Sequence, residues 1–261
     1  MLNLISKLNL YKIKVKNRFY IKDSDIFIAS YPRSGNTWLR LLLADIILQL
    51  NNFKTDTVLP IHQDKIIPDM HVHDLSKFEI QFDLLARLIK THSLFGKIKG
   101  HKVIFLFRNP ADTLCSYFHF HRRYINLLPK TRDGIDKFCI EYTNDWLNHI
   151  NSYINNHVKD KMLFISYENL HSNTLNTLKK VAYFSKLDAS KMMIVKSISN
   201  QEFSKRKKNE TIKENNNNEY FFRRGEVSSS KKELKPETIS FIKNKTEDIY
   251  RKALLLENCS I

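Results

Sequence analysis

Residues Tyr31-Pro-Arg-Ser-Gly-Asn-Thr-Trp38 sit between an apolar strand pattern and an apolar helix pattern. Asp25 to Ser30 reads as a short buried strand, because Ile26, Phe27, Ile28 and Ala29 form one apolar run. Trp38 to Leu50 reads as a helix rich in Leu and Ile. A strand and a helix joined by a glycine-bearing turn form a natural anion site. The first N–H groups of the helix have no intrahelical acceptor, and the helix dipole favours negative charge there. Gly35 lets the backbone approach an anion closely. Ser34 and Thr37 add hydroxyl donors, and Arg33 adds a fixed positive charge. The turn departs from the ordinary nucleotide loop: it has a single glycine and no Gly-Lys-Ser/Thr ending.

Three further strand signals follow, at Ala86 to Lys90, Lys102 to Phe107 and Met162 to Ser166. Each is short and apolar, with a turn and a helical pattern after it. Asn109-Pro110 reads as a helix start, Asn as the cap and Pro as the first helical residue, leading into Asp112 to Tyr124. Pro236 to Leu255 has helical periodicity. Strands alternating with helices imply an α/β fold, a central parallel β-sheet flanked by helices. A length of 261 residues suits one domain, 1–261. Within it, residues 1–23 read as an N-terminal arm and 51–74 as an irregular excursion on the substrate side. The polar stretch 204–219 reads as a mobile loop.

The formal net charge of +16 suits anionic ligands, although abundant Lys, Asn and Ile can equally reflect biased genomic composition. The basic run in 204–219 lacks the interleaved aromatic residues of a nucleic-acid groove, so no nucleic-acid partner is expected. Cys115, Cys139 and Cys259 form no C-x-x-C pair, and a scattered, odd set fits a reduced, cytoplasmic protein. No apolar run reaches the roughly 20 residues of a membrane span, so no transmembrane segment is expected. His71-Val-His73-Asp74 has metal-binding residue types, but no further Cys or His is placed to complete a site. No metal is expected.

In open α/β sheets, ligands bind beyond the carboxyl ends of the strands. Arg33 follows the first strand, Lys90, Thr91 and His92 close the second, Arg108 ends the third and Tyr167 follows the fourth. Four strands thus bring polar side chains to one edge.

These positions resemble the sulfotransferases that use 3′-phosphoadenosine 5′-phosphosulfate (PAPS). Tyr31 to Trp38 is similar to their Y-P-[KR]-S-G-x-T-W loop, which holds the 5′-phosphosulfate; that implies cofactor contacts from Arg33, Ser34, Gly35, Asn36, Thr37 and Trp38. Lys90-Thr-His92 looks like the family's K-T-H, in which His is the general base. Phe107-Arg108-Asn-Pro-Ala-Asp112 with Ser116 resembles the 3′-phosphate motif. Phe164-Ile-Ser-Tyr167 resembles the segment whose Tyr meets adenine. Phe221-Phe222-Arg223-Arg224-Gly225 looks like the late R-[KR]-G loop, also a 3′-phosphate contact. Ser199 is a weaker match to an adenine-side hydroxyl, and Asp145-Trp-Leu-Asn-His149 resembles a recurrent structural segment. The resemblance covers about residues 24 to 250 and implies a fold related to the P-loop nucleotide-binding proteins. It also implies PAPS as co-substrate, a small-molecule or carbohydrate acceptor, and His92, Lys90 and Arg33 as catalytic residues.

The sequence departs from this pattern at three points. Arg33 stands where many cytosolic members have Lys, and Arg hardly releases a proton. Asn36 replaces a common Thr, with an amide that can still meet phosphate. Ser228-Ser-Ser-Lys231 stands in place of Gly-Asp-Trp. No copy of the short C-terminal dimerisation motif is found, and the oligomeric state stays open. Two other readings are a phosphotransferase with a degenerate phosphate loop and a non-catalytic, basic polyanion-binding protein. The first needs a loop Lys and a magnesium-binding Asp at a strand end, and the sequence offers neither. The second explains the charge but not the four-strand convergence.

Overall fold

A computed structural model describes residues 12–13, 15–53, 60–78, 84–125, 131–202 and 227–259. The expected mobile loop 204–219 and the expected cofactor residues Phe222, Arg223, Arg224 and Gly225 lie outside the described residues.

Four strands form one parallel sheet: β1 (Ile26–Ser30), β2 (Leu88–Thr91), β3 (Lys102–Phe107) and β4 (Met162–Ser166), in the order β2-β1-β3-β4. The alternation of side chains along each strand separates two cores. Phe27, Ala29, Ile89, Val103, Phe105, Phe107 and Phe164 point to one face, and Ile26, Ile28, Leu88, Ile104, Leu106 and Ile165 to the other. Both faces are covered, which is why the strands read as unbroken apolar runs rather than alternating ones.

The first face packs on α3 (Pro110–Ile125), α4 (Arg132–Glu141), α5 (Thr143–Ile154) and α9 (Pro236–Cys259). Trp146 and Ile150 of α5, Phe118 of α3 and Ile242 of α9 are fully buried there. The second face packs on α1 (Asn36–Leu50), α7 (Thr174–Phe184) and α8 (Lys191–Asn200), with Leu170 of α6 (Tyr167–Ser172). A further helix, α2 (Pro60–Ile66), packs on α1. Asn109 starts α3 as its residue type suggests: its Oδ1 accepts from Asp112 N at 3.2 Å, and Pro110 occupies the first helical position.

One expectation is corrected. The segment 51–74 is not irregular throughout, because it contains α2 and then runs beside β2. Lys90 N donates to Pro68 O at 2.8 Å and Met70 N donates to Lys90 O at 3.0 Å, so Asp69 bridges to Lys90 in parallel. The pairing is too short, and too close to a proline, to show as a strand pattern. Part of the expected arm is among the described residues. Residues 15–17 are helical, and Asn17 is fully buried. Its amide donates to Met70 O and His73 O, each at 2.8 Å, and its carbonyl accepts from Leu75 N at 2.8 Å. A single Asn thus fixes the flank that carries Asp69.

The strand order matters for function. After β1 the chain moves to one side to lay down β2, then crosses to the other side for β3. The carboxyl ends of β1 and β3 flank this reversal, and such a switch point opens a crevice where α/β proteins bind ligands. A cavity of 720 Å³ lined by Lys102, Lys159 and Lys186 lies at the opposite, amino ends of β3 and β4.

Candidate active site

The turn after β1 is built for close approach. Arg33 has a φ of 69°, a left-handed conformation uncommon for a side-chain-bearing residue. Gly35 has a φ of 100°, and a Cβ there would stand 2.5 Å from Tyr167 Cδ2. Glycine is therefore required twice, by conformation and by space. Ser34 is fully buried, and its Oγ has no hydrogen-bond partner among the described residues. A buried hydroxyl without a partner at a helix start fits an anionic ligand that would accept its proton. Thr37 is half-buried in the first turn of α1. Asn36 is turned away from this role. Its Nδ2 donates to Ile28 O at 3.3 Å and Ser30 Oγ at 3.1 Å, so the amide expected to meet phosphate instead ties α1 to β1.

Arg33 reaches across the switch point. Its Nε donates to Ser116 Oγ at 3.2 Å, and its guanidinium lies 5.4 Å from the Phe120 ring centre. Arg108, just past β3, is buried; its guanidinium stacks 4.3 Å from the Tyr167 ring centre and lies 3.8 Å from Asp112. Tyr167 in turn meets Trp38 edge-on at 6.0 Å. Residues from three separate segments thus meet in two groups, Arg33 with Ser116 and Arg108 with Tyr167 and Trp38. Ser199 lies on α8, which packs on α1.

Beside these groups, His92 closes β2. Its Nδ1 lies 2.7 Å from Ser30 O, and a carbonyl can only accept, so Nδ1 carries the proton. Burial pushes the imidazole down to about 3, with the Lys90 charge adding to the effect and the Ser30 carbonyl opposing it. His92 is therefore neutral near pH 7, with its lone pair on Nε2. Lys90 is ion-paired with Asp69. Burial alone would raise the Asp69 carboxyl, but the Lys90 ammonium outweighs it and holds Asp69 below the usual carboxylate range.

Three contributors escaped the sequence reading. Asp69 carried no signal, because its partner is 21 residues away. Asp112 lies within a quoted motif yet had no role. Its two oxygens accept from Ser228 N at 2.6 Å and Ser230 N at 2.9 Å, which seats the Ser228-Ser-Ser-Lys231 turn against α3. Glu168 accepts from Asn109 N at 2.9 Å, and burial raises its pKa. On α3, His119 Nε2 bonds Glu233 Oε2 at 2.6 Å, close to Cys115. In the His71-x-His73 run, His73 accepts from Asp69 N at 3.0 Å, and His71 lies 3.1 Å from Thr91 Oγ1.

The sulfotransferase-domain family model matches residues 23–254. This chain belongs to the sulfotransferase family. Among its relatives, cytosolic sulfotransferase 6 of Arabidopsis thaliana is 26% identical over 192 residues, covering 66% of this chain and 58% of its own length. Flavonol 3-sulfotransferase of Flaveria bidentis is 29% identical over 181 residues, covering 64% and 58%. The chain thus spans less than two thirds of the length of these curated relatives. The crystal structure of a mouse sulfotransferase, SULT7A1, complexed with PAP superposes with a TM-score of 0.69 at 25% identity, covering 94% of this chain and 93% of that one. The fold is therefore that of a sulfotransferase. Among the described residues, no helix of this sulfotransferase chain is long and apolar enough to cross a membrane.

Proposed function

We propose that this chain, as a single cytoplasmic domain, transfers the sulfuryl group of PAPS to a hydroxyl or amine of a small-molecule or carbohydrate acceptor. The observation that carries the reading is the His92 Nδ1–H bond to the Ser30 carbonyl. It puts the ring proton on Nδ1 and leaves Nε2 as the acceptor a general base needs, and His92 follows β2 as the Ser34–Gly35 turn follows β1. Membership in the sulfotransferase family supports the reaction class. The solved relative complexed with PAP supports the choice of nucleotide.

Each residue has a role in this reading. Ser34, Gly35 and Thr37 hold the 5′-phosphosulfate at the start of α1, where backbone N–H groups add donors. Arg108 and Ser116 hold the 3′-phosphate, joined by Arg223, Arg224 and Gly225 of the late loop and by Phe222 beside them. Trp38 and Tyr167 form the aromatic wall for adenine. His92 Nε2 takes the acceptor proton as the acceptor atom bonds to sulfur and the sulfur–oxygen bond to phosphate breaks. Arg33 and Lys90 stabilise the negative charge left on the phosphate oxygen. Arg33 acts as a fixed cation there, since it does not donate its proton. A sulfuryl group carries less charge than a phosphoryl group, so these cations can take the place of the magnesium that phosphoryl transfer recruits.

The test is transfer from labelled PAPS to an acceptor panel, with thermal melting in parallel. Adenosine 3′,5′-bisphosphate should stabilise the protein, and ATP with magnesium much less. His92→Gln should reduce transfer by about 100-fold or more while nucleotide stabilisation stays near wild type. A His92→Gln variant that turns over normally removes His92 from the mechanism. Stabilisation by ATP with magnesium alone would support a phosphotransferase instead.

A further inference from the structure

A buried carboxylate beside a site that must bind a sulfonated, phosphorylated ligand is at first sight unfavourable. Asp69 is such a group: it is 7% exposed, and it stands between α2 and β2 at the ligand edge of the sheet. One of its oxygens accepts from His71 N at 2.9 Å, and the other pairs with Lys90 Nζ. The flank that carries Asp69 is also held by backbone bonds to Lys90 and by Asn17. The carboxylate is therefore one of several contacts that place the segment.

The groups that face His92 explain what the charge does. Lys90 approaches from β2, Asp69 and His71 from the flank, His149 from α5, and the Ser30 carbonyl from β1. Lys90 and His149 disfavour a proton on the imidazole, while the Ser30 carbonyl and Asp69 favour one. Without Asp69, His92 would face the Lys90 ammonium with no counter-charge and would be a weaker base.

We infer that Asp69 is a positioning residue of the transfer site, which orients the Lys90 ammonium and screens it from His92. The inference rests on the sulfuryl-transfer reading. Lys90 would then serve two neighbours, the leaving phosphate oxygen and Asp69. His92 takes the acceptor proton next to a carboxylate that stabilises the resulting imidazolium. The logic is that of paired titratable groups whose environments set each other's proton affinity.

The test compares wild type with Asp69→Asn, Asp69→Glu, Lys90→Ala and the Asp69→Asn/Lys90→Ala double variant, assayed with PAPS across pH. Asn keeps the shape and can still accept from His71 N, and stabilisation by adenosine 3′,5′-bisphosphate reports folding. Asp69→Asn should lower kcat by about tenfold or more, the size of one pH unit in base strength, with KM for the acceptor changed far less. Its acidic limb should move to lower pH, because His92 without the carboxylate holds a proton less tightly. Asp69→Glu should recover part of the rate. The double variant should be no slower than Lys90→Ala beyond about twofold, as expected when two residues act as one unit. Wild-type kcat with an unmoved acidic limb in Asp69→Asn overturns this inference and leaves the function intact. A wild type that transfers nothing from PAPS overturns the functional reading and this inference with it.

Discussion

Arg33 and Ser116 are joined across the switch point: Arg33 Nε donates to Ser116 Oγ at 3.2 Å. One residue follows β1 and the other lies on α3 after β3, so the bond closes the crevice between the two central strands. A nucleotide held in that crevice meets both segments. Arg108, buried against Tyr167, stands on the same side.

Nucleotide choice should therefore depend on Arg108 and Ser116. Charge-assisted hydrogen bonds contribute about 1.5–3 kcal/mol each. Arg108→Ala should weaken adenosine 3′,5′-bisphosphate by about 10-fold or more, with a smaller effect from Ser116→Ala. Adenosine 5′-phosphate, which lacks the second phosphate, should lose far less in both variants. Isothermal titration with the two nucleotides decides it: equal losses would take the 3′-phosphate away from these residues.

Gly35→Ala should damage both stability and binding. A left-handed residue with a side chain costs about 1–2 kcal/mol, and the added methyl would also press on Tyr167 at 2.5 Å. The melting temperature should fall, and stabilisation by adenosine 3′,5′-bisphosphate should be nearly lost. An alanine variant that binds the nucleotide as tightly as wild type would show that the turn does not need this close approach.

Much of this arrangement is legible in the sequence where the signal is local. β3 and β4 have the expected bounds, and β1 starts at Ile26, one residue after the expected Asp25, because Asp25 turns to form a buried pair with Arg87. β2 runs from Leu88 to Thr91 rather than from Ala86, since Arg87 is drawn to Asp25 and to carbonyls before the strand begins. The residues that remained hidden act through distant partners. Asp69 is defined by Lys90, Asp112 by two serines more than a hundred positions on, and Asn17 by the 70–75 segment. No periodicity encodes such pairs, because they depend on how elements pack rather than on local spacing. Asn36 shows the converse: its motif position suggested phosphate, but a strand carbonyl and the Ser30 hydroxyl lie within reach of its Nδ2 and bind it instead.

Chelation should leave catalysis intact. In the proposed reading, Arg33 and Lys90 supply the positive charge that a divalent metal would otherwise bring to the leaving oxygen. Transfer from PAPS measured with and without excess EDTA should agree within about twofold, well under the smallest effect of removing one electrostatic donor. Complete loss on chelation, restored by magnesium, would count against sulfuryl transfer without metal.

The acid sensitivity of the fold should trace to His149. This imidazole is 4% exposed, lies 5.9 Å from Phe105 in a stacked arrangement, and meets Tyr31 edge-on at 5.6 Å. The backbone groups of His92 and Ser93 beside the ring favour its protonated form but do not offset burial. Burial pushes its pKa down to about 4, below the ordinary 6.5, so the native protein keeps it neutral where the unfolded chain would protonate it. The unfolded state then binds more protons between those two values, and stability must fall as pH drops through that window. Each pH unit of difference is worth about 1.4 kcal/mol, so His149 accounts for a loss on the order of 3 kcal/mol between pH 6.5 and 4. His92, pushed down to about 3, adds a loss of the same sign that extends lower. His149→Phe replaces the ring with an apolar one that suits the Phe105 and Tyr153 stack and cannot take a proton. Urea unfolding at pH 7 and pH 5 should show a smaller difference in the variant than in wild type, with the pH 7 stability retained or raised. The same drop in both proteins would mean that other groups set the acid limit.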